Sequence, residues 1–156
     1  MKLINLIFVL ISFLLVTACG GADKKKTVNT DQNISLSETD LEKGAVLYRA
    51  KCMNCHMKSG KGIEKFYPPL ADSDYLRENL EDAIYMVKYG SNKPIKVNGI
   101  KYNSLMPASG LTDEELVLVF NYILNSWGND YGSITLDQVR AVKRKSKEII
   151  PWNDLF

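Results

Sequence analysis

Cys52-Met53-Asn54-Cys55-His56 sets two thiols three residues apart and puts an imidazole beside the second. Cys-x-x-Cys-His is the spacing that attaches a c-type haem, with the sulfurs on the haem vinyl groups and the imidazole on iron. Two other chemistries use the same residue types. A structural zinc site needs four ligands, usually completed by a second Cys or His pair. This chain has three cysteines and one histidine in all, so no second pair exists. A thioredoxin-like dithiol belongs between a strand and a helix of a βαβ unit, whereas here the motif closes a helical pattern. Haem attachment is therefore the reading. The single histidine is spent in the motif, so any ligand on the other face of the iron is a different side chain.

The surrounding patterns predict helices that position this motif. Thr39-Asp40-Leu41-Glu42 fits a capping box, and Leu41, Ala45, Val46 and Tyr48 follow at helical spacing to about Ala50. A loop with Gly60, Gly62 and Pro68-Pro69 comes next. Leu76, Leu80, Ala83, Ile84 and Val87 predict one or two helices over residues 74–89, stopped by Gly90. Ile95, Val97, Ile100 and Tyr102 flank Asn98-Gly99, the signal for a type I′ hairpin. Thr112 to Glu115 forms a second capping box and opens an apolar helix to about Ser126. A third, Thr135 to Gln138, predicts a short basic helix to about Lys147, before Pro151. The fold class expected is all-α with one small hairpin.

Gly44-x-x-x-Tyr48-x-x-x-Cys52-x-x-Cys55-His56 resembles the N-terminal helix of class I cytochromes c, and the likeness extends over residues 39–127. It implies that the N- and C-terminal helices cross at close range, a glycine and an aromatic of the first meeting Val119, Tyr122 and Ile123 of the last. A residue without Cβ permits that approach. Pro68-x-Leu70 resembles the family's Pro-x-Leu. The likeness implies a Pro68 carbonyl accepting from His56 Nδ1–H and a Leu70 packed on haem, although the adjacent Pro69 leaves the choice of proline open. Ser104-Leu105-Met106-Pro107 resembles the family's Met-Pro ligand loop, between hairpin and final helix.

Of the five methionines, Met1 leaves with the signal, while Met53 lies inside the covalent loop and Met57 neighbours His56, both on the wrong face. Met86 lies in the apolar stripe of a helix, where packing is the ordinary role of this side chain. Met106 is the ligand chosen, with Met86 or an open site as rivals. His/Met coordination raises the reduction potential and fills both axial positions, which suits an iron that passes single electrons. Tyr102, Leu105, Trp127 and Leu70 are expected around the haem edge. Lys51, Lys58, Lys61 and Lys65, with Lys93, Lys96 and Lys101, would give that edge a basic rim facing acidic partners; an ordinary solvated face is the alternative.

The N-terminus reads as an export signal, residues 1–18. Lys2 precedes an apolar run over residues 3–16, shorter than the roughly 20 residues a membrane-spanning helix needs. Val16-Thr17-Ala18-Cys19-Gly20 resembles a bacterial lipobox, which implies lipid on Cys19; ordinary cleavage after Ala18 would instead leave an unpaired exported thiol. Several acyl chains give stable anchoring where one does not. Residues 19–36 are polar and read as a flexible tether. The domain follows at 37–128, with a C-terminal extension at 129–156.

A formal charge of +2 is too small to suggest nucleic-acid binding. The chain is thus expected to be a membrane-anchored electron carrier facing the periplasm or cell exterior. Its expected partners are respiratory redox proteins such as a terminal oxidase, a reductase or a dehydrogenase. The ending Asn125-Ser126-Trp127-Gly128-Asn129 and the hairpin resemble cytochrome domains attached to such enzymes. The rival classes are a haem enzyme module, a peroxidase or small-molecule oxidase with a displaceable sixth ligand, and a binding or structural lipoprotein.

Overall fold

Helix α1 (Glu38–Lys51) is capped by Ser37, two residues before the box expected at Thr39, because Ser37 offers the better cap. Its side chain accepts from the Asp40 amide at 3.1 Å and donates to the Asp40 carboxylate at 2.8 Å. The computed structural model describes residues 36–145. The apolar run, Cys19 and the polar stretch to residue 35 lie outside those residues, as do Trp152 and Phe156.

The chain bends at Cys52 into α2 (Met53–His56), a single turn that contains the second half of the motif. After a looped segment come α3 (Asp74–Glu78) and α4 (Leu80–Tyr89), the latter ending at Gly90. Strands β1 (Ile95–Val97) and β2 (Ile100–Tyr102) pair antiparallel, Ile95 opposite Tyr102 and Val97 opposite Ile100. Asn98 and Gly99 both take positive φ, as a type I′ turn requires. The Asn98 side chain accepts from the Asp74 amide and donates to the Asp72 carbonyl, tying the hairpin tip to the start of α3.

Helix α5 (Asp113–Leu124) has the predicted reciprocal box, Thr112 and Glu115 each bonding the other's backbone amide. It is the centre of the core: Leu116, Val119, Phe120, Ile123 and Leu124 are all buried. Helix α1 lies against it, presenting Gly44 and Tyr48 as its buried residues. An alanine Cβ at Gly44 would sit 2.3 Å from the Leu118 carbonyl oxygen and 2.7 Å from Tyr122 Cβ. The closest partner is thus Leu118 backbone, together with the expected Tyr122. Val119 and Ile123 turn inward instead and line a cleft described below.

Residues 129–145 pack on the domain rather than trailing from it. Ile134, Val139 and Val142 belong to the same core cluster as α5. Asn121, buried in α5, accepts from the Ile134 amide at 2.7 Å and donates to its carbonyl at 3.2 Å. Helix α6 (Leu136–Ala141) has its box at Thr135 and Gln138, but it ends well before Lys147. Val142 turns extended, buries its side chain, and offers its carbonyl to Tyr89 Oη at 3.1 Å. That contact, with the Lys88 bonds to Val139 O and Asp113, outweighs continuing a basic helix into solvent. No helix among the described residues is long and apolar enough to cross a membrane.

Candidate functional site

The motif is helical, and this explains its spacing. Cys55 and His56 lie three and four residues beyond Cys52, so one turn carries all three to one face. The His56 amide bonds the Cys52 carbonyl at 3.0 Å, and all three residues line the same cleft. Cys52 and Cys55 form no disulfide with one another. Before haem is attached, burial, with Cys55 alongside, pushes the Cys52 thiol up to about 11.

His56 is 7% exposed. Its Nδ1 lies 3.0 Å from the Pro68 carbonyl oxygen, and Pro68 rather than Pro69 is the partner. Burial lowers the imidazole pKa and the Pro68 carbonyl opposes that only in part. The ring is therefore neutral near pH 7, with the Nδ1 proton held by the carbonyl and Nε2 left as the donor atom.

The loop that presents Pro68 folds back on the motif. Gly62 N donates to the His56 carbonyl, and the amides of Leu70 and Ala71 both donate to Gly60 O. Gly62 has a φ of +62°, and a Cβ there would lie 2.2 Å from Tyr67 O and 2.6 Å from Pro68 O. The Gly62→Ala protein is expected to lose about 2–4 kcal/mol, combining left-handed strain with displaced backbone. Gly110→Ala is the control, since its Cβ meets nothing within 4 Å and only the strain of about 1–2 kcal/mol applies. Denaturant midpoints of the haem-loaded proteins compare the two; equal losses would mean that the crowding at Pro68 is relieved at no cost.

Two aromatic side chains hold the exit from the motif. Tyr48 Oη donates to the Met57 carbonyl at 2.7 Å, and Trp127 Nε1 donates to the Lys58 carbonyl at 3.0 Å. Tyr48, Tyr122 and Trp127 form a cluster with ring centroids 5.0–5.6 Å apart. Trp127, expected at the haem edge, is placed in this cluster and is not among the residues lining the cleft. Its positive φ, three residues past the end of α5, accompanies an indole laid back over Gly60.

The cleft opens to solvent on one side. Its lining includes Leu70, Val97, Tyr102, Val119, Phe120 and Ile123, nearly all apolar. Such a concave, apolar-lined cleft, with a few polar groups converging on it, is the ordinary setting of a bound cofactor. Both Met86 and Met106 line it. Met86 is buried within α4. Met106 is held on a loop through a two-bond bridge to Ser91, each N–H···O distance 2.9 Å. Among the described residues no group of three or more His, Cys, Asp or Glu side chains is gathered for a metal ion. Phe66 and Leu105 line the mouth at 63% and 72% exposure. Lys93 also lines the cleft, while Lys51, Lys58, Lys61, Lys65, Lys96 and Lys101 are exposed elsewhere on the surface.

Two thiols and a neutral imidazole on one helical turn, facing a large apolar cleft, are the donor set of a covalent haem protein. Residues 41–127 match the cytochrome c family. The chain belongs to that family: it is a class I c-type cytochrome, an electron-transfer protein that binds haem c covalently through its Cys-x-x-Cys-His motif. It is 33% identical to cytochrome c-552 of Thermus thermophilus over 124 residues, covering 72% of this chain and 80% of the relative. It is 32% identical to the fructose dehydrogenase cytochrome subunit of Gluconobacter japonicus over 71% of this chain and 24% of that subunit. The cytochrome c subunit of a quinone alcohol dehydrogenase from Gluconobacter oxydans is 27% identical over 70% of this chain and 24% of its own length. The all-α expectation with one hairpin agrees with the fold.

Three contributors to the site were not read from the sequence. Gly62 gave only a loop signal, Ser91 none, and Asn129 appeared only as the end of a Trp-Gly-Asn string. Their roles depend on backbone groups distant in sequence, which no spacing rule addresses.

Proposed function

We propose that this chain is an exported, lipid-anchored monohaem cytochrome c that carries single electrons in a respiratory chain, with His56 and Met106 on the iron. One observation carries the reading: a single apolar cleft is lined by both motif thiols, the only histidine and Met106. The Met106 bridge to Ser91 supports a ligand held still between oxidation states, and Pro107 stiffens the loop just past it. Cys52 and Cys55 hold the haem covalently, His56 is the nitrogen ligand, the Pro68 carbonyl orients its ring, and Leu70 packs against the haem. Haem supplies the one-electron couple. The chain's residues keep water from it and leave an edge near Phe66 and Leu105.

The apolar run over residues 3–16 and the lipobox-like Val16 to Gly20 support an export signal and a lipid anchor on Cys19, with the domain facing the periplasm or cell exterior. Its partner is a redox enzyme such as a terminal oxidase, a reductase or a dehydrogenase. Exposed Phe66 and Leu105 at the mouth, with Lys93 beside the cleft, suit a partner with an acidic rim and an apolar centre.

Optical spectroscopy of the purified haem-loaded protein tests the ligation. The oxidised form is expected to show the long-wavelength sulfur-to-iron charge-transfer band, and the reduced form to bind carbon monoxide slowly or not at all. Rapid carbon monoxide binding without that band would instead support a haem enzyme with an open sixth position.

A further inference from the structure

Asn129 lies beyond the last long helix, yet its side chain is buried and makes three hydrogen bonds to main chain. Its Nδ2 donates to Leu70 O at 3.0 Å and to Ile123 O at 2.9 Å, while its Oδ1 accepts from the Asp72 amide at 2.8 Å. The residue is 7% exposed. One side chain thus fastens the segment Leu70–Asp72 to the C-terminal turn of α5.

That segment is continuous with Pro68, the acceptor of the His56 Nδ1 proton. Its other constraints are few. Gly60 O holds the amides of Leu70 and Ala71, and Asn98 Nδ2 holds the Asp72 carbonyl. The Gly60 bonds tie the segment to the motif's own exit loop, and the Asn98 bond ties it to a hairpin. Leu70 also packs against the core cluster of α5, but among the hydrogen bonds of the described residues those of Asn129 alone tie the segment to α5. Where the Pro68 carbonyl stands relative to His56 is therefore set by the length of this tie as well as by the loop itself.

We propose that Asn129 is a positioning residue for the nitrogen ligand of the haem. By anchoring Leu70–Asp72 to α5, it holds the Pro68 carbonyl at hydrogen-bond distance from His56 Nδ1 and so tunes the electron density on the imidazole. A bonded Nδ1–H makes the ring a stronger donor, and loosening the bond makes it a weaker one. A weaker donor favours Fe(II), so loss of Asn129 raises the reduction potential. The inference rests on His56 being an iron ligand.

The test compares Asn129→Ala with Asn121→Ala in the haem-loaded protein. Asn121 is also a buried asparagine with bonds to one main-chain residue, Ile134, but it does not touch the Pro68 segment. Both variants are expected to lose thermal stability. Only Asn129→Ala is expected to raise the reduction potential and to speed solvent exchange of the His56 Nδ1 proton, seen by NMR, by about tenfold, the effect of losing roughly one hydrogen bond's worth of restraint. If Asn129→Ala does not accumulate as holoprotein, Asn129→Ser, shorter but still polar, is measured in its place. An unchanged potential and unchanged exchange, beside a lowered melting point like that of Asn121→Ala, would reduce Asn129 to a purely structural residue and overturn the proposal. Absence of any haem-shifted His56 signal in the wild-type protein would overturn the ligand assignment itself, which separates the two failures.

Discussion

Gly44→Ala lowers the stability of the haem-loaded protein, although the same change in most helices raises it. Alanine in a helix interior is ordinarily favoured over glycine by about 0.5–1 kcal/mol, because glycine loses more backbone entropy on folding. At Gly44 the added Cβ has no room: Leu118 O stands 2.3 Å away and Tyr122 Cβ 2.7 Å away. The nearest obstacle is main chain, which cannot rotate aside as a side-chain tip can. Helices α1 and α5 must therefore separate, and overpacking of this sort costs about 1–3 kcal/mol. The upper part of that range applies, leaving a net loss of about 2 kcal/mol after the propensity gain. For a domain near this size that is a fall in Tm of roughly 10 °C. Val46→Ala, on the outer face of the same helix at 54% exposure, isolates the propensity effect and is expected to change stability little or to raise it slightly. A Gly44→Ala protein that melts at or above the wild-type temperature would show that the two helices are not in close contact. The separation would also be felt at the haem, since α1 leads through Cys52 into the motif.

With Met106 as the proposed sulfur ligand, Met106→Ala is expected to open the sixth coordination position. The charge-transfer band of the oxidised protein disappears, carbon monoxide binds the reduced protein rapidly, and the potential falls by on the order of 0.1–0.3 V within the range that axial ligands span. The direction follows from softness: a thioether stabilises Fe(II) over Fe(III), so removing it favours the oxidised state. The loop itself should survive, because the bridge to Ser91 uses the backbone N–H and C=O of residue 106, both of which alanine retains. Met86→Leu is the companion variant. Met86 lines the same cleft but is buried in α4, and leucine conserves its volume at a cost under about 1.5 kcal/mol. That variant is expected to keep the band, the slow carbon monoxide reaction and the potential. The opposite pattern, with Met86→Leu losing all three and Met106→Ala keeping them, would move the sulfur ligand to α4.

The elements were legible in the sequence wherever a local signal set them. Asn98-Gly99 announced its hairpin because a type I′ turn demands positive φ at two successive residues. The boxes at Thr112 and Thr135 appear where the patterns put them, since a cap is made within four residues. Where two local solutions competed, the pattern misled. Thr39 looked like the cap of α1, yet Ser37 takes that position by bonding both the amide and the carboxylate of Asp40. Helix α6 was expected to reach about Lys147, but it stops at Ala141 because Val142 gains a buried site and a partner in Tyr89, fifty-three residues away in sequence.

Residue types and spacing by themselves determined the chemistry: a Cys-x-x-Cys-His turn brings two thiols and an imidazole to one face because a helix repeats every 3.6 residues. They also determined that, with one histidine in the chain, any second ligand comes from another kind of side chain. Tertiary structure alone decided which proline carbonyl meets His56, that Leu118 and not Val119 touches Gly44, and that Trp127 packs behind the motif instead of beside the haem cleft. It alone recruited Ile134, Val139 and Val142 into the core and bound Asn129 to Leu70 and Asp72. The physical reason is common to these cases. Spacing along a chain dictates contacts within one turn, whereas contacts between distant segments depend on how closely two backbones approach, and that is known only once both have packed.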